Sequence, residues 1–324
     1  SGVSADGTEI YLDTDWLTSL QSTAYSDRIT WIENADEFID QPGEWYLNRS
    51  ESKLYYKPDG SMDGKSATLP VTEQLLVFEG TENITFDGVK FEDTSWLTPN
   101  EIGYNDAQSG TYAQHNGVWG DVPGAIETHA ANNITITSSE LCNLGGGGIR
   151  IGNGSSDCAI TNSAIHDISS SGIFIGNNTG HNHGYCDPGT DVTGVVVRNN
   201  YITRTGLDIF GSSAICALYT SDTVIDHNEV CYTTYTGISL GWGWDWKNAP
   251  CSGNNTVSNN YIHDTGKTIH DGGSFYSLGL QEGTKVFGNY LHHHSDGLYD
   301  KDGGLYTDEG STGMELYNNV AGDG

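Results

Sequence analysis

Positive charge is scarce in this chain: 13 Lys and Arg stand against 43 Asp and Glu in 324 residues, for a formal net charge of −30 at pH 7. A surface of that sign repels nucleic acid and anionic membranes, so neither is expected as a partner and a neutral polymer fits best. A salty habitat accounts for the same acidity equally well. Long apolar runs are missing too, and no stretch of about 18 apolar residues offers a membrane-spanning helix. The six cysteines, Cys142, Cys158, Cys186, Cys216, Cys231 and Cys251, contain no CxxC pair. That spacing argues against a zinc site, so neither metal nor cofactor is expected, and disulfides formed in an oxidising compartment are. No leader peptide is visible. The chain opens at Ser1 and its last repeat stops partway, which reads as a mature or trimmed chain. Asn-x-Ser/Thr acceptors at Asn48, Asn83, Asn133, Asn153, Asn177 and Asn254 add to the expectation of an extracellular, N-glycosylated protein.

What the chain does have is glycine, 43 residues of it, and a repeat. Two apolar residues five positions apart recur at Phe86/Phe91, Ile136/Leu141, Ile160/Ile165, Val197/Ile202, Ile225/Val230, Val257/Ile262, Val286/Leu291 and Leu316/Ala321. From Ile136 onward the intervals are 24, 37, 28, 32, 29 and 30 residues. Further short strands intervene, such as "GIRIG" at 148–152, "GIFIG" at 172–176, "AICAL" at 214–218 and "GISLG" at 237–241. Short β-branched strands with no helical period between them predict an all-β solenoid of parallel coils over residues 81–324. Residues 1–80 differ. There "GEWYLNRSESKLYYKP" alternates apolar and polar residues around a Ser-rich turn, predicting an accessory β-hairpin packed on the solenoid.

Coils stacked about 4.8 Å apart place equivalent residues in columns. Asn200, Asn228, Asn260, Asn289 and Asn319 fall in one, three residues after the first apolar position, and predict a hydrogen-bonded ladder in which each Asn takes a left-handed turn. Cys142, His166, Thr203, Cys231, His263 and His292 fall in another. The run "HHH" at 292–294 is therefore read as part of the repeat. A bare coil end can pair with another, so end-to-end self-association is a possible partner mode.

Three stretches exceed the repeat. "HDGGSFYSLGLQEGT" from His270 and "KDGGLYTDEGSTG" from Lys301 are near-copies 31 residues apart, matching Asp271 to Asp302 and setting Asp308 and Glu309 against Ser277 and Leu278. Crowded carboxylates shift one another's proton affinity, which suits a glycosidase acid pair; Asp before Gly-Gly is also ordinary turn chemistry. In that alignment six extended residues, about 20 Å, separate Asp271 from the column of Asp308, so a bend at Gly272-Gly273 is required. "GWGWDW" places Trp242, Trp244 and Trp246 at spacing two, on one side of an extended chain, as a platform for sugar rings, with Asp245 turned away. The stretch 96–129 lacks periodicity and is rich in polar and aromatic residues, ending at Glu127 and His129; it reads as part of a carbohydrate cleft.

Several of these phrases occur together and in order: "ENADEFIDQPGEWYLNRSESKLYYKPDG", "FEDTSWLTPN", "GISLGWGW", "DGGSFYSLG" and "GLYTDEGSTG". In this the chain, from about residue 30 to its end, resembles the right-handed parallel β-helix glycoside hydrolases of family 141, which include fucosidases and xylanases of plant cell-wall glycans. The resemblance implies two catalytic carboxylates, Asp271 and Asp308; should the bend not bring these together, Glu309 or Asp302 is the alternate that the repeat offers. It also implies a polysaccharide or oligosaccharide substrate, and the residues expected to contact it are Trp242, Trp244, Trp246, Asp245, His270, Tyr276, Tyr306 and Glu127. Ser274 and Phe275 stand where the family has an additional Gly, and the chain lacks the family's N-terminal part and closing coils. Two other expectations compete: a polysaccharide lyase on the same fold, and a non-enzymatic structural or adhesive solenoid.

Overall fold

The computed structural model describes residues 2–4, 6, 8–11, 34–99, 105–106, 108–113, 119–176, 189–244, 247, 251–294 and 303–322. Two compact units divide the chain, Ser1–Leu69 and Pro70–Gly324. In the first, the expected hairpin is present: Trp45–Asn48 pairs antiparallel with Lys53–Tyr56, Tyr46 opposite Tyr55 with their rings stacked at 6.1 Å.

The second unit is a three-faced parallel β-helix. Its three sheets have eight strands each, and every coil contributes one strand to each sheet in turn. The first coil runs through Leu76–Glu79, Glu82–Asp87 and Lys90–Thr94, and the last through Gly303–Thr307, Glu315–Tyr317 and Val320–Gly322. Both apolar columns expected from the repeat are observed. Phe86, Ile136, Ile160, Val197, Ile225, Val257, Val286 and Leu316 pair in register along the second sheet. Phe91, Leu141, Ile165, Ile202, Val230, Ile262, Leu291 and Ala321 do so along the third. All but Leu316 and Ala321, exposed on the last coil, join Ile126, Ile149, Ile173, Ile215, Ile238 and Phe275 of the first sheet in the continuous core. Strands of three to six residues suffice because neighbouring coils, rather than strand length, supply the buried contacts.

The asparagine ladder is also observed, with one correction. Asn200 donates its backbone N–H and its Nδ2 to Asn228 Oδ1, both at 3.0 Å, and Asn228 does the same to Asn260 Oδ1 at 2.9 and 3.0 Å. The series continues through Asn289 to Asn319. The left-handed residue, however, is the one before each ladder position: Asn199, His227, Asn259, Gly288 and Asn318 all have φ between 53° and 68°. The kink precedes the ladder residue and turns its amide into the bend, where it satisfies backbone groups the sheet cannot reach.

Four of the six cysteines, Cys142, Cys158, Cys216 and Cys231, are free and buried, which leaves room for one bridge at most and corrects the expected disulfide framework. Burial raises each of these thiols above its ordinary range. Of the glycosylation acceptors, Asn133 donates Nδ2 to Asn83 Oδ1 at 2.8 Å, a second and shorter ladder.

Two predictions follow from the stacking. Asn228→Ala should destabilise the protein by about 2–4 kcal/mol, because the backbone N–H and Nδ2 of Asn200 lose their acceptor while Asn260 Oδ1 and the carbonyl of Val197 lose the Nδ2 donor; denaturant unfolding measures it, and a change below about 0.5 kcal/mol would contradict the ladder's role. Asp226 lies in the second sheet, where burial opposes its charge. Hydrogen bonds from Ser258 Oγ (2.7 Å), His227 Nδ1 (2.8 Å) and Asn259 Nδ2 (3.0 Å) outweigh it and hold the carboxyl at about 2. A folded-state value below the unfolded one contributes stability above the unfolded pKa and loses it as pH falls through the folded value. Asp226→Asn should therefore lower the melting midpoint near neutral pH and have little effect near pH ~2; an equal loss at both ends would contradict it.

Candidate active site

The first sheet alternates strictly. Ile149, Ile151, Ile173, Ile175, Ile215, Ala217, Ile238, Leu240 and Phe275 point inward. Between them an outward column runs from Glu127 through Arg150, Phe174, Cys216, Ser239 and Tyr276 to Tyr306, each residue in register with the next. An outward column of a solenoid should face water, yet Glu127 through Tyr276 are buried. Among the described residues the cover comes from 108–113 and 119–122 of the aperiodic stretch and, at Phe174 and Tyr276, from Leu218, Tyr219 and Trp242. Ser109 sits on the column, its carbonyl accepting from Cys216 Sγ at 3.3 Å and its Oγ 3.4 Å from Ser239 Oγ. Trp96, Tyr112 and Val122 close a small apolar cluster over Ile209. Gly110 fits only because it has no side chain: a Cβ there would lie 2.7 Å from Ser171 Oγ, and its φ is +70°.

Under this cover lies an ion cluster that sequence reading did not anticipate. Arg150 pairs with Asp121 from the covering segment, its Nε lies 3.6 Å from Glu127 Oε1, and its guanidinium stands 5.0 Å over the Phe174 ring. Glu127 also accepts from Gln74 Nε2 at 2.7 Å and meets His129 Nε2 at 3.1 Å. Glu127, expected to contact substrate, is thus occupied in joining two coils. Its signal was hidden because Asp121 belongs to the covering segment and Arg150 to a coil, and the two match no local motif.

At the other end of the column the expected acids appear, in a changed register. Gly273 pairs with Gly303, Phe275 with Leu305, Tyr276 with Tyr306 and Ser277 with Thr307, an offset of 30 residues rather than 31. The near-copies are therefore shifted by one position from their sequence alignment, and Asp308 follows the partner of Ser277 instead of facing it. A single-residue shift exchanges the faces of a strand, and here it brings Tyr276 and Tyr306 onto the same outward column. The bend arises mainly at Asp271 itself, whose φ is +67°. Gly272 and Gly273 then pass through tight space, since a Cβ on Gly272 would lie 2.6 Å from Thr236 Oγ1 and one on Gly273 2.5 Å from the Phe275 carbonyl.

The two acids bracket this tyrosine pair in a crossed arrangement. Asp271 precedes the strand of Tyr276 but accepts from Tyr306 Oη at 3.3 Å, whereas Asp308 follows the strand of Tyr306 but accepts from Tyr276 Oη at 2.7 Å. The rings meet edge to face at 5.3 Å. Burial, reinforced by the Asp308 hydrogen bond, raises the Tyr276 hydroxyl far above its usual value, so it remains a donor throughout the physiological range. Tyr235 Oη donates to the Asp271 carbonyl at 2.8 Å and accepts from Gln108 Nε2 at 3.1 Å, tying the covering segment to this acid. Asp308 is fixed by its own backbone: its N–H donates to the Ser277 carbonyl at 2.9 Å, and its carbonyl accepts from Ser311 N at 3.0 Å. Asp271 and Glu309 are exposed, and Asp308, His270 and Tyr306 half-buried. Asp302, Asp245 and Trp246 lie outside the described residues.

The tryptophan platform is corrected. Trp242 is 3% exposed, packed with Phe174, Leu218, Tyr219, Tyr276 and Leu278. Spacing two puts side chains on one side only where the chain is extended, and Gly241 and Gly243, with φ of +81° and +91°, break that geometry. Trp244 remains half-buried, its ring 5.6 Å from that of Trp242, and with Tyr306 it packs against this cluster. Trp242→Ala should cost about 3–5 kcal/mol of stability; an unchanged melting midpoint would return Trp242 to the role of an exposed platform.

The family described as "Right handed beta helix region" matches residues 124–321. Among solved structures, a glycoside hydrolase is similar at a TM-score of 0.80 and 28% identity; the match covers 90% of this chain and 56% of that one, so the chain spans little more than half that relative's length. A complex of XylC with xylose matches at a TM-score of 0.49 and 13% identity, over 89% of this chain and 48% of that one. The Streptococcus pneumoniae surface protein and adhesin PfbA matches at 0.43 and 16%, over 78% and 74%. No curated protein matches the chain. With eight parallel coils and a match over most of them, the chain belongs to the right-handed β-helix family.

Proposed function

We propose that this protein is a secreted glycoside hydrolase acting on a neutral polysaccharide of the plant cell-wall type, as the likeness to family 141 implies, with Asp271 and Asp308 as its two carboxylates. The observation that carries this reading is the crossed pairing of these acids with Tyr306 and Tyr276. A tyrosine hydroxyl donates to the charged form of a carboxylate and orients it, while its ring forms the floor on which a sugar can rest. One acid protonates the departing glycosidic oxygen as general acid. The other either attacks the anomeric carbon or activates a water as base. Trp244 and Tyr306 stack on flanking sugar rings, and Glu309, beside Asp308 and exposed, orients the incoming chain.

The similarity to a glycoside hydrolase over 90% of the chain supports the class. The net charge of −30 supports a neutral substrate, since a uronate polymer would be repelled. A lyase needs cations to neutralise its substrate's carboxylates; residues 237–313 hold no arginine and four lysines, of which Lys267 is paired with Asp264 at 3.2 Å.

A screen of neutral plant cell-wall polysaccharides should yield reducing sugar with the wild type. Asp271→Asn and Asp308→Asn should each lower the rate by at least about 10³-fold while leaving the melting midpoint within a few degrees. Full activity in both variants would overturn the assignment, and an unsaturated product absorbing in the ultraviolet would replace hydrolysis by elimination.

A further inference from the structure

The outward column of the third sheet contains a constellation that appears twice. Glu140 and Cys142 lie two apart on Glu140–Leu144, so both project from the same face, and His166 of the next coil is in register with Cys142. Three coils further on, Glu229 and Cys231 stand the same way on Glu229–Thr233, with His263 of the following coil in register with Cys231. In both groups one donor atom from each residue lies within 4.8 Å of the others. The histidine is set up identically as well. His166 Nδ1 meets Asp167 Oδ2 at 2.7 Å and His263 Nδ1 meets Asp264 Oδ2 at 2.8 Å, both aspartates being left-handed with φ of 57° and 51°. That contact turns each Nε2 toward the glutamate, at 3.3 Å from Glu140 Oε1 and 3.4 Å from Glu229 Oε1.

We infer that Glu229, Cys231 and His263 form a binding site for a zinc-class divalent cation, joining two coils of the solenoid, and that Glu140, Cys142 and His166 form a weaker copy of it. Three protein ligands of sulfur, nitrogen and oxygen with one position left for water match the ligand types zinc takes. Ligands of a tetrahedral zinc stand roughly 3.3–3.8 Å apart for bonds of about 2.0–2.3 Å, so the histidine–glutamate separations are already suitable and the thiol needs to approach by only about 1 Å. The Asp–His contact is the outer-shell support that fixes the tautomer and leaves Nε2 as ligand. The metal takes the place of the Cys231 thiol proton, which passes to solvent, and the thiolate, imidazole and carboxylate donate their electron pairs without redox change.

The two copies differ in their surroundings. At the first, Lys90 Nζ lies 2.6 Å from Glu92 and 3.7 Å from Glu140, so a cation already occupies the carboxylate. At the second, the nearby lysine, Lys267, is held on Asp264 rather than on Glu229. The second site also has a supporting wall: His263 stacks on Tyr261 at 4.3 Å and on His292 at 5.3 Å, fixing the plane of its ring. A sequence search for metal spacing misses this constellation because each histidine comes from the next coil, 24 residues beyond Cys142 in one copy and 32 beyond Cys231 in the other.

Cobalt(II), a spectroscopic stand-in for zinc, tests the inference on the whole chain. Titration should produce a thiolate-to-cobalt charge-transfer band in the near ultraviolet and tetrahedral d–d bands, both displaced by zinc. Cys231→Ser should remove the stronger component, and Asp264→Asn should weaken it about 10–100-fold. Lys90→Met should strengthen the weaker component. Because Cys231 is buried, Glu229→Gln at an exposed position and His263→Gln at a half-buried one serve as a second set, with the fold checked by circular dichroism; each should weaken the stronger component at least tenfold. Absence of any charge-transfer band, or a band unaltered in Cys231→Ser and His263→Gln, would overturn the proposal. Hydrolysis of polysaccharide is not part of the readout, so the outcome is independent of the active-site reading.

Discussion

Everything in this molecule depends on coils being stacked in register, one strand spacing apart. Each coil alone buries little; stacking joins its inward residues into one core and converts sequence period into columns. The asparagine ladder holds that register at the bend between the second and third sheets, where a left-handed residue would otherwise leave backbone amides without partners. Because a shift by one residue would carry every apolar side chain to the outside, the core and the ladder enforce the same answer.

The outward columns are where the chain departs from mere repetition. On the first sheet the column changes character along the axis, from the Glu127–Arg150 ion cluster, through Phe174 and Cys216, to the tyrosine pair between Asp271 and Asp308. The covering segment shields the first part and reaches the last through Gln108 and Tyr235. Buried ion pairs are costly unless well satisfied, so the cluster under the cover fixes position more than it adds stability. Fixing the cover in turn fixes the Tyr235 hydroxyl against Asp271. The hydrolytic reading thus rests on parts of the chain far apart in sequence but adjacent across coils.

The fold was legible because periodicity is a property of the chain itself: both apolar columns and the asparagine column, read as numbers, are the observed pairings. The candidate acids were legible as residues and not as geometry. "HDGG" and "KDGG" align best by identity at an offset of 31, whereas the glycine-lined bend sets the strands at 30, and only the latter pairs Tyr276 with Tyr306. The tryptophans misled for a related reason. Period-two logic holds for extended backbone, and Gly241 and Gly243 bend it, sending Trp242 into the cluster behind the site. The Arg150 cluster gave no linear signal, and the repeat set Cys142 beside His166 and Cys231 beside His263 without showing their glutamates, since each group is assembled by stacking.

The most direct test of the central claim is the crystal structure of the Asp308→Asn variant soaked with a neutral cell-wall oligosaccharide cleaved by the wild type. The account predicts a sugar ring on Tyr306 and Trp244, with the glycosidic oxygen within hydrogen-bond reach of one acid position and the anomeric carbon facing the other. An oligosaccharide bound on another face of the helix, with the crossed Tyr–Asp contacts unengaged, would contradict it.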